Sequence, residues 1–208
     1  MWPVSSVGVN RASQRLSAIQ PSATLAVDAK AKALKAAGEN VIGFGAGEPD
    51  FPTPAHIVEA AQAACADPKN HKYTPAGGLP ELREAIAAKT LRDSGFACDP
   101  AQVLVTNGGK HAVYTAFAVL CDPGDEVIVT AWSWIACFTA IVRVGARPVL
   151  AEIDDTLNLD PAEIARLTTP RTRAVLVIHY QGVPADMERI QLEAHRRGLF
   201  VIEDCAQS

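Results

Sequence analysis

What this sequence lacks excludes whole classes of function before any motif is weighed. Cysteine is sparse and unpaired: Cys65, Cys98, Cys121, Cys137 and Cys205 are scattered, odd in number and without a C-x-x-C pair. That pattern argues against a zinc site or a disulfide framework and for a reducing compartment. Basic charge is not in surplus, with 19 Lys and Arg against 23 Asp and Glu and a net charge of −4. No basic patch points to nucleic acid, because the Lys-rich segment around Lys30 alternates with alanine on an expected helix. No apolar run is long enough to span a bilayer, and Met1 to Ser13 lacks the apolar stretch of a signal peptide. A cytoplasmic protein is expected, with no membrane or nucleic-acid partner and no metal. The glycines of Gly43-Phe44-Gly45-Ala46-Gly47 miss the G-x-G-x-x-G spacing, and prolines follow where a helix should begin, so a dinucleotide fold is rejected as well.

What is present suits a globular α/β chain. Apolar residues make up 49% and charged residues 20% of 208, enough for a sizeable core. Met1 to Ser22 reads as a loose arm, and helices are expected at Thr24–Ala37, His56–Ala66 and Leu79–Leu91. From Val103 the pattern alternates, with strands expected at 102–106, 126–130, 147–153, 173–178 and 199–203. Helices fill the intervals at 109–121, about 134–144, 161–168 and 185–197. Asp160-Pro161-Ala162-Glu163 has the form of a capping box, and Arg196-Arg197-Gly198 that of a helix end. Runs such as Ala174 to Ile178 are apolar throughout, as in a parallel sheet covered on both faces.

In such sheets ligands bind beyond the carboxyl ends of the strands, so the residues that follow each strand carry the functional reading. After the first come Gly108, Gly109 and Lys110, at a helix start whose unpaired N–H groups suit an anion. After the second come Trp132, Ser133 and Trp134, after the fourth His179, Tyr180 and Gln181, and at the fifth Glu203, Asp204 and Gln207. An anion cradle, an aromatic plane and a carboxylate together suit a flat, phosphorylated, protonated heteroaromatic ring, and pyridoxal phosphate fits best. The plainer alternatives are a tight strand-to-helix connection for the glycines, core packing for Trp134, and a cap or loop bond for Asp204. His56, His71 and His195 read as surface residues, and His179 as structural.

Two stretches carry a family resemblance. Pro21-Ser22-Ala23-Thr24, Gly45-Ala46-Gly47-Glu48-Pro49-Asp50-Phe51, Tyr73-Thr74-Pro75-Ala76-Gly77-Gly78-Leu79-Pro80, Thr106-Asn107-Gly108-Gly109-Lys110 and Asp122-Pro123-Gly124-Asp125 closely resemble bacterial class I aspartate aminotransferases, over about residues 15–129. These are enzymes of the pyridoxal-phosphate fold type I. Leu157-Asn158-Leu159-Asp160-Pro161, Gly182-Val183-Pro184-Ala185-Asp186-Met187 and Val201-Ile202-Glu203-Asp204-Cys205-Ala206-Gln207-Ser208 resemble the sugar aminotransferases of the DegT/DnrJ/EryC1/StrS type, over about 130–208. The resemblance implies an arm and helix at 1–45 and, at 46–208, an incomplete large domain with a mostly parallel sheet flanked by helices. It implies Gly47 beside the substrate carboxylate, Gly108, Gly109 and Lys110 on the cofactor phosphate, and Trp134 over the ring. It also implies Asp204 on the ring nitrogen, Gln207 near the phenolic oxygen, and Tyr73 reaching the phosphate of the other subunit in a homodimer.

The Schiff-base lysine of both families comes after the aspartate strand, and here no lysine follows Lys110. Lys110 belongs to the phosphate turn, so no catalytic residue is assigned. The expectation is an aminotransferase by descent, acting on a small-molecule amino donor and a keto acid or keto-sugar acceptor, but truncated and without turnover. The alternative is a non-catalytic module that dimerises or binds another phosphate ligand.

Overall fold

The computed structural model describes residues 13–14, 19, 23–43 and 51–208. They fall into two compact units that divide between Lys72 and Tyr73. In the first, helices α1 (Ala23–Ala36) and α2 (Ala55–Ala66) precede a short 3₁₀ turn, Pro68–His71. Asp67 caps that turn by accepting the Lys69 N–H at 3.1 Å. The Asn70 amide donates back to the Ala64 carbonyl at 2.9 Å, which ties the turn to the end of α2.

The second unit opens with α3 (Pro80–Ser94), which begins at a proline and ends at Gly95 in the left-handed conformation. There follow α4 (Gly109–Leu120), β1 (Glu126–Thr130), α5 (Ile135–Arg143), β2 (Arg147–Ala151), α6 (Pro161–Leu167), β3 (Thr172–Ile178), α7 (Met187–Arg196) and β4 (Phe200–Asp204). The four strands pair in parallel, in the order β2-β1-β3-β4. Consecutive side chains alternate between the faces. Val127, Val129, Ala174, Leu176 and Ile178 pack with Phe117 of α4 and with Cys137, Ala140 and Ile141 of α5. Ile128, Val175 and Val177 pack on the other face with Ile164 of α6 and Ile190 of α7. Helices on both faces explain why β1 and β3 read as unbroken apolar runs.

Two sequence expectations change. No strand forms at 102–106: Pro100–Gln102 is a 3₁₀ turn, and the residues after it run without a strand partner. A β-prone run needs a strand beside it to satisfy its backbone, and none of the four strands pairs with this one. Val105 instead donates its N–H to the Gly77 carbonyl at 3.0 Å. That close approach places a Cβ built on Gly78 only 2.5 Å from the Val105 side chain. The expected capping box also stays open. Asp160 does cap α6, accepting the Ala162 N–H at 2.9 Å. Glu163 turns away from the Asp160 N–H; it accepts the Glu152 N–H at 3.1 Å and pairs with Arg166.

A buried charge anchors the amino ends of the strands. Glu126 opens β1 with no exposed surface. One of its oxygens accepts from the Thr169 hydroxyl at 2.7 Å. The other accepts from Arg171 Nη2 at 2.7 Å and from Arg147, the first residue of β2. The Thr169 hydrogen bond, with the two guanidinium groups, outweighs burial and holds the Glu126 carboxyl at about 2, below an ordinary value of 4.5. A depressed folded-state pKa gives stability that is present above about 4.5 and lost as pH falls toward 2. Glu126→Gln is therefore expected to lower the unfolding free energy at pH 7 by about 1–3 kcal/mol, since a charged hydrogen-bond acceptor is lost while both arginines can turn to water. In denaturant unfolding, the gap between the two proteins should close as pH approaches 2. A constant gap would contradict the assignment.

Candidate functional site

The carboxyl ends of β3 and β4 and the first turns of α4 and α5 surround a cavity of about 270 Å³. Gly109 and Lys110 form one wall, Trp134 and Cys137 another, and Asp204 and Gln207 the third. The sequence separates these residues by almost a hundred positions; the parallel sheet brings them to one edge.

The wall at α4 is a helix start. Gly108 precedes the helix at φ 87° and ψ 170°, a conformation that L side chains rarely adopt. Its carbonyl accepts from the His111 and Ala112 N–H groups at 3.1 and 3.2 Å. The N–H groups of Gly109 and Lys110 precede those bonds, so helix geometry gives them no carbonyl partner. The first turn contains no acidic residue to neutralise the positive end of the helix.

Trp134 stands at the N-cap of α5 and is 58% exposed, so its indole is a wall of the cavity rather than core filling. Trp132 packs against Tyr180 instead, with ring centroids 5.6 Å apart. Cys137 lies three residues after Trp134, one helical turn on, and its thiol donates to Asp204 Oδ2 at 3.5 Å. Burial, then the nearby Asp204 charge, pushes this thiol up to about 11, while the Ser133 hydroxyl beside it pulls weakly the other way.

Asp204 ends β4. Its Oδ1 accepts the Ala206 N–H at 3.0 Å, and its Oδ2 takes the Cys137 thiol. Both donors are neutral, so neither cancels the charge of a carboxylate that faces the cavity. Gln207 accepts the Gln181 N–H through Oε1 at 2.7 Å, which leaves its amide nitrogen free to donate. Gln181 adopts φ 52°, a rarely occupied backbone conformation for a residue other than glycine, where it makes this bond. His179 has a structural role. Nδ1 accepts the Ala185 N–H at 3.1 Å, which places the ring proton on Nε2, facing Glu203 at 3.0 Å.

Of the residues singled out in the sequence, Gly109, Lys110, Trp134, Asp204 and Gln207 line one cavity, and Gly108, outside that lining, is the N-cap of the helix that Gly109 begins. Tyr73 is fully exposed and takes no part in that lining. Gly47 lies outside the described residues. Cys137 and Ala206 were not anticipated. The signal for Cys137 was its spacing of three from Trp134 on one helix, which a count of cysteines does not reveal. Among the described residues no group of three or more His, Cys, Asp or Glu is placed to hold a metal ion.

Comparison with known proteins gives this geometry a context. Residues 97–208 match the DegT/DnrJ/EryC1/StrS aminotransferase family. An aspartate aminotransferase from Streptomyces avermitilis is 55% identical over 204 residues, which cover 93% of this chain and 50% of that protein. A probable aspartate aminotransferase from Streptomyces griseus is 51% identical over 98% of this chain and 99% of its own length. The structure of an aspartate aminotransferase from Thermus thermophilus with maleate superposes with a TM-score of 0.80 at 38% identity, covering 94% of this chain and 53% of that one. The chain thus spans about half the length of the Streptomyces avermitilis and Thermus thermophilus proteins and nearly all of the Streptomyces griseus one. Each Streptomyces relative extends across both halves, so the change of resemblance near Thr130 falls within a stretch that single relatives share.

The buried, protonated Cys137 makes a chemical prediction. With its pKa near 11, about one thiol in a thousand is ionised at pH 8, and the thiolate is the reactive form. Iodoacetamide at pH 8 should label the exposed Cys65 and Cys205 first and spare Cys137 until the chain unfolds, as read by peptide mass mapping. Early labelling of Cys137 in the folded chain would contradict its placement.

Proposed function

This chain belongs to the DegT/DnrJ/EryC1/StrS aminotransferase family, within the pyridoxal-phosphate-dependent aminotransferases of fold type I, and from that membership we propose that its cavity binds pyridoxal phosphate. The observation that supports this reading is the convergence of a helix-start anion cradle, an exposed indole and a carboxylate held by neutral donors on one cavity. The donor set suits the ligand chemically. The Gly108–Lys110 turn offers backbone N–H groups to the phosphate, Trp134 stacks on the ring, and Gln207 donates its amide to the phenolic oxygen. Asp204 would face the ring nitrogen and hold a proton there by charge. When bound, the cofactor supplies an electron sink for amino-group chemistry.

The full activity, in this proposal, is amino-group transfer between an amino acid and a keto acid or keto-sugar. The family resemblance assigns Gly47, outside the described residues, to the substrate carboxylate. A homodimer brings Tyr73 of the partner subunit to the phosphate, in keeping with the full exposure of Tyr73 on a single chain. Location in the cytoplasm is part of the same reading; among the described residues no helix is long and apolar enough to cross a membrane.

Within these 208 residues no lysine follows Lys110, and Lys110 sits in the phosphate turn. The residues present would therefore hold the cofactor without a covalent bond. Titration with pyridoxal phosphate, followed by tryptophan fluorescence, should show saturable binding that Asp204→Ala weakens about ten- to a hundredfold, the scale of one charged hydrogen bond. Borohydride reduction and mass spectrometry should find no pyridoxyl-lysine. Equal affinity of Asp204→Ala and the parent would overturn the cofactor reading in favour of a general phosphate-binding module. A covalent adduct on Lys110 would overturn the non-covalent one.

A further inference from the structure

We propose that Cys137 is a positioning residue for Asp204: its thiol locks the plane of the carboxylate that meets the ring nitrogen. This inference rests on the cofactor reading above and adds a residue that neither the sequence motifs nor the family match assigns.

The geometry is that of a two-point clamp. A carboxylate held at one oxygen can still rotate about its Cβ–Cγ bond. Asp204 is held at both. The Ala206 N–H fixes Oδ1 at 3.0 Å, from two residues along the same chain turn. The Cys137 thiol fixes Oδ2 at 3.5 Å, a length suited to the larger sulfur, from a different element. With both oxygens anchored, the plane of the carboxylate is fixed where Asp204 lines the cavity.

The sulfur itself has little freedom. Cys137 is 2% exposed and packs in the core formed by Phe117, Val129, Ile141 and Leu176. Burial keeps it a protonated donor. Trp134, the N-cap of the same helix, lines the cavity with it. The start of α5 therefore carries both the indole on which the ring would stack and the thiol that orients the carboxylate at the ring's edge. A thiol suits this place because it is a neutral donor. A lysine or arginine there would cancel the charge that Asp204 presents to the ligand, and an apolar residue would leave Oδ2 free to swing.

The test compares Cys137→Ala, Cys137→Ser and Asp204→Ala in the full chain, with two probes: pyridoxal phosphate, which has the ring nitrogen, and inorganic phosphate, which does not. Cys137→Ala should weaken pyridoxal phosphate binding about three- to tenfold, the scale of one neutral hydrogen bond. It should leave the affinity for inorganic phosphate unchanged. Cys137→Ser, which keeps a donor on the same carbon, should recover the parent affinity to within about twofold, as expected where a single neutral hydrogen bond is the whole difference. Parent-like binding by Cys137→Ala, alongside a clear loss in Asp204→Ala, would overturn the clamp and leave the cofactor reading standing. Equal losses for both probes without recovery in Cys137→Ser would also overturn it, because that is the result of damage to the core. No loss for Asp204→Ala would remove the cofactor reading and the clamp with it.

Discussion

The amino ends of three chain segments are tied to one carboxylate that has no contact with water. Glu126 begins β1, Arg147 begins β2, and Thr169 and Arg171 lead into β3; all three segments meet at the Glu126 oxygens. A buried carboxylate is tolerated only when its partners are complete, so these strands cannot slide past one another without stranding it. Their register is fixed at the end away from the cavity. Their direction is fixed by the apolar layers on both faces. The carboxyl ends then arrive at the cavity in a set arrangement, with no binding residue needed to hold them there.

A second acidic residue, at the opposite end of the sheet, shows how partners decide the role of a carboxylate. Glu126 is surrounded by two guanidinium groups and a hydroxyl, and its charge is spent within the fold. Asp204 has a backbone N–H and a thiol, neutral donors that orient it without bringing a guanidinium or ammonium to its oxygens. The same chemistry is thus structural at one edge and available to a ligand at the other. The helix starts at Gly109 and Ile135 add their own polarity and an indole to that edge, and a parallel sheet with crossover helices brings these features together there.

Much of this was legible in the sequence, for local reasons. The apolar runs at 126–130 and 173–178 and the glycine, proline and aspartate signals around the helices placed the elements to within a few residues. The cavity followed from asking what comes after each strand. The failures share another cause. The 102–106 run has the composition of a strand but no partner strand, and composition carries no information about partners. Glu163 had the right spacing for a capping box, but the Glu152 N–H and Arg166 took its carboxylate. Glu126 and Cys137 acquire their meaning from partners far along the chain, 67 residues away in the case of Cys137 and Asp204. A motif search reads spacing along the chain, and these interactions have none to read.

The central claim is that Asp204 meets a ring nitrogen and keeps it protonated. The direct test is ¹⁵N nuclear magnetic resonance of pyridoxal phosphate labelled at that nitrogen and bound to the full chain. The account predicts a pyridinium signal that persists to a higher pH than in the free cofactor. A bound nitrogen that loses its proton at the same pH as the free cofactor would contradict it.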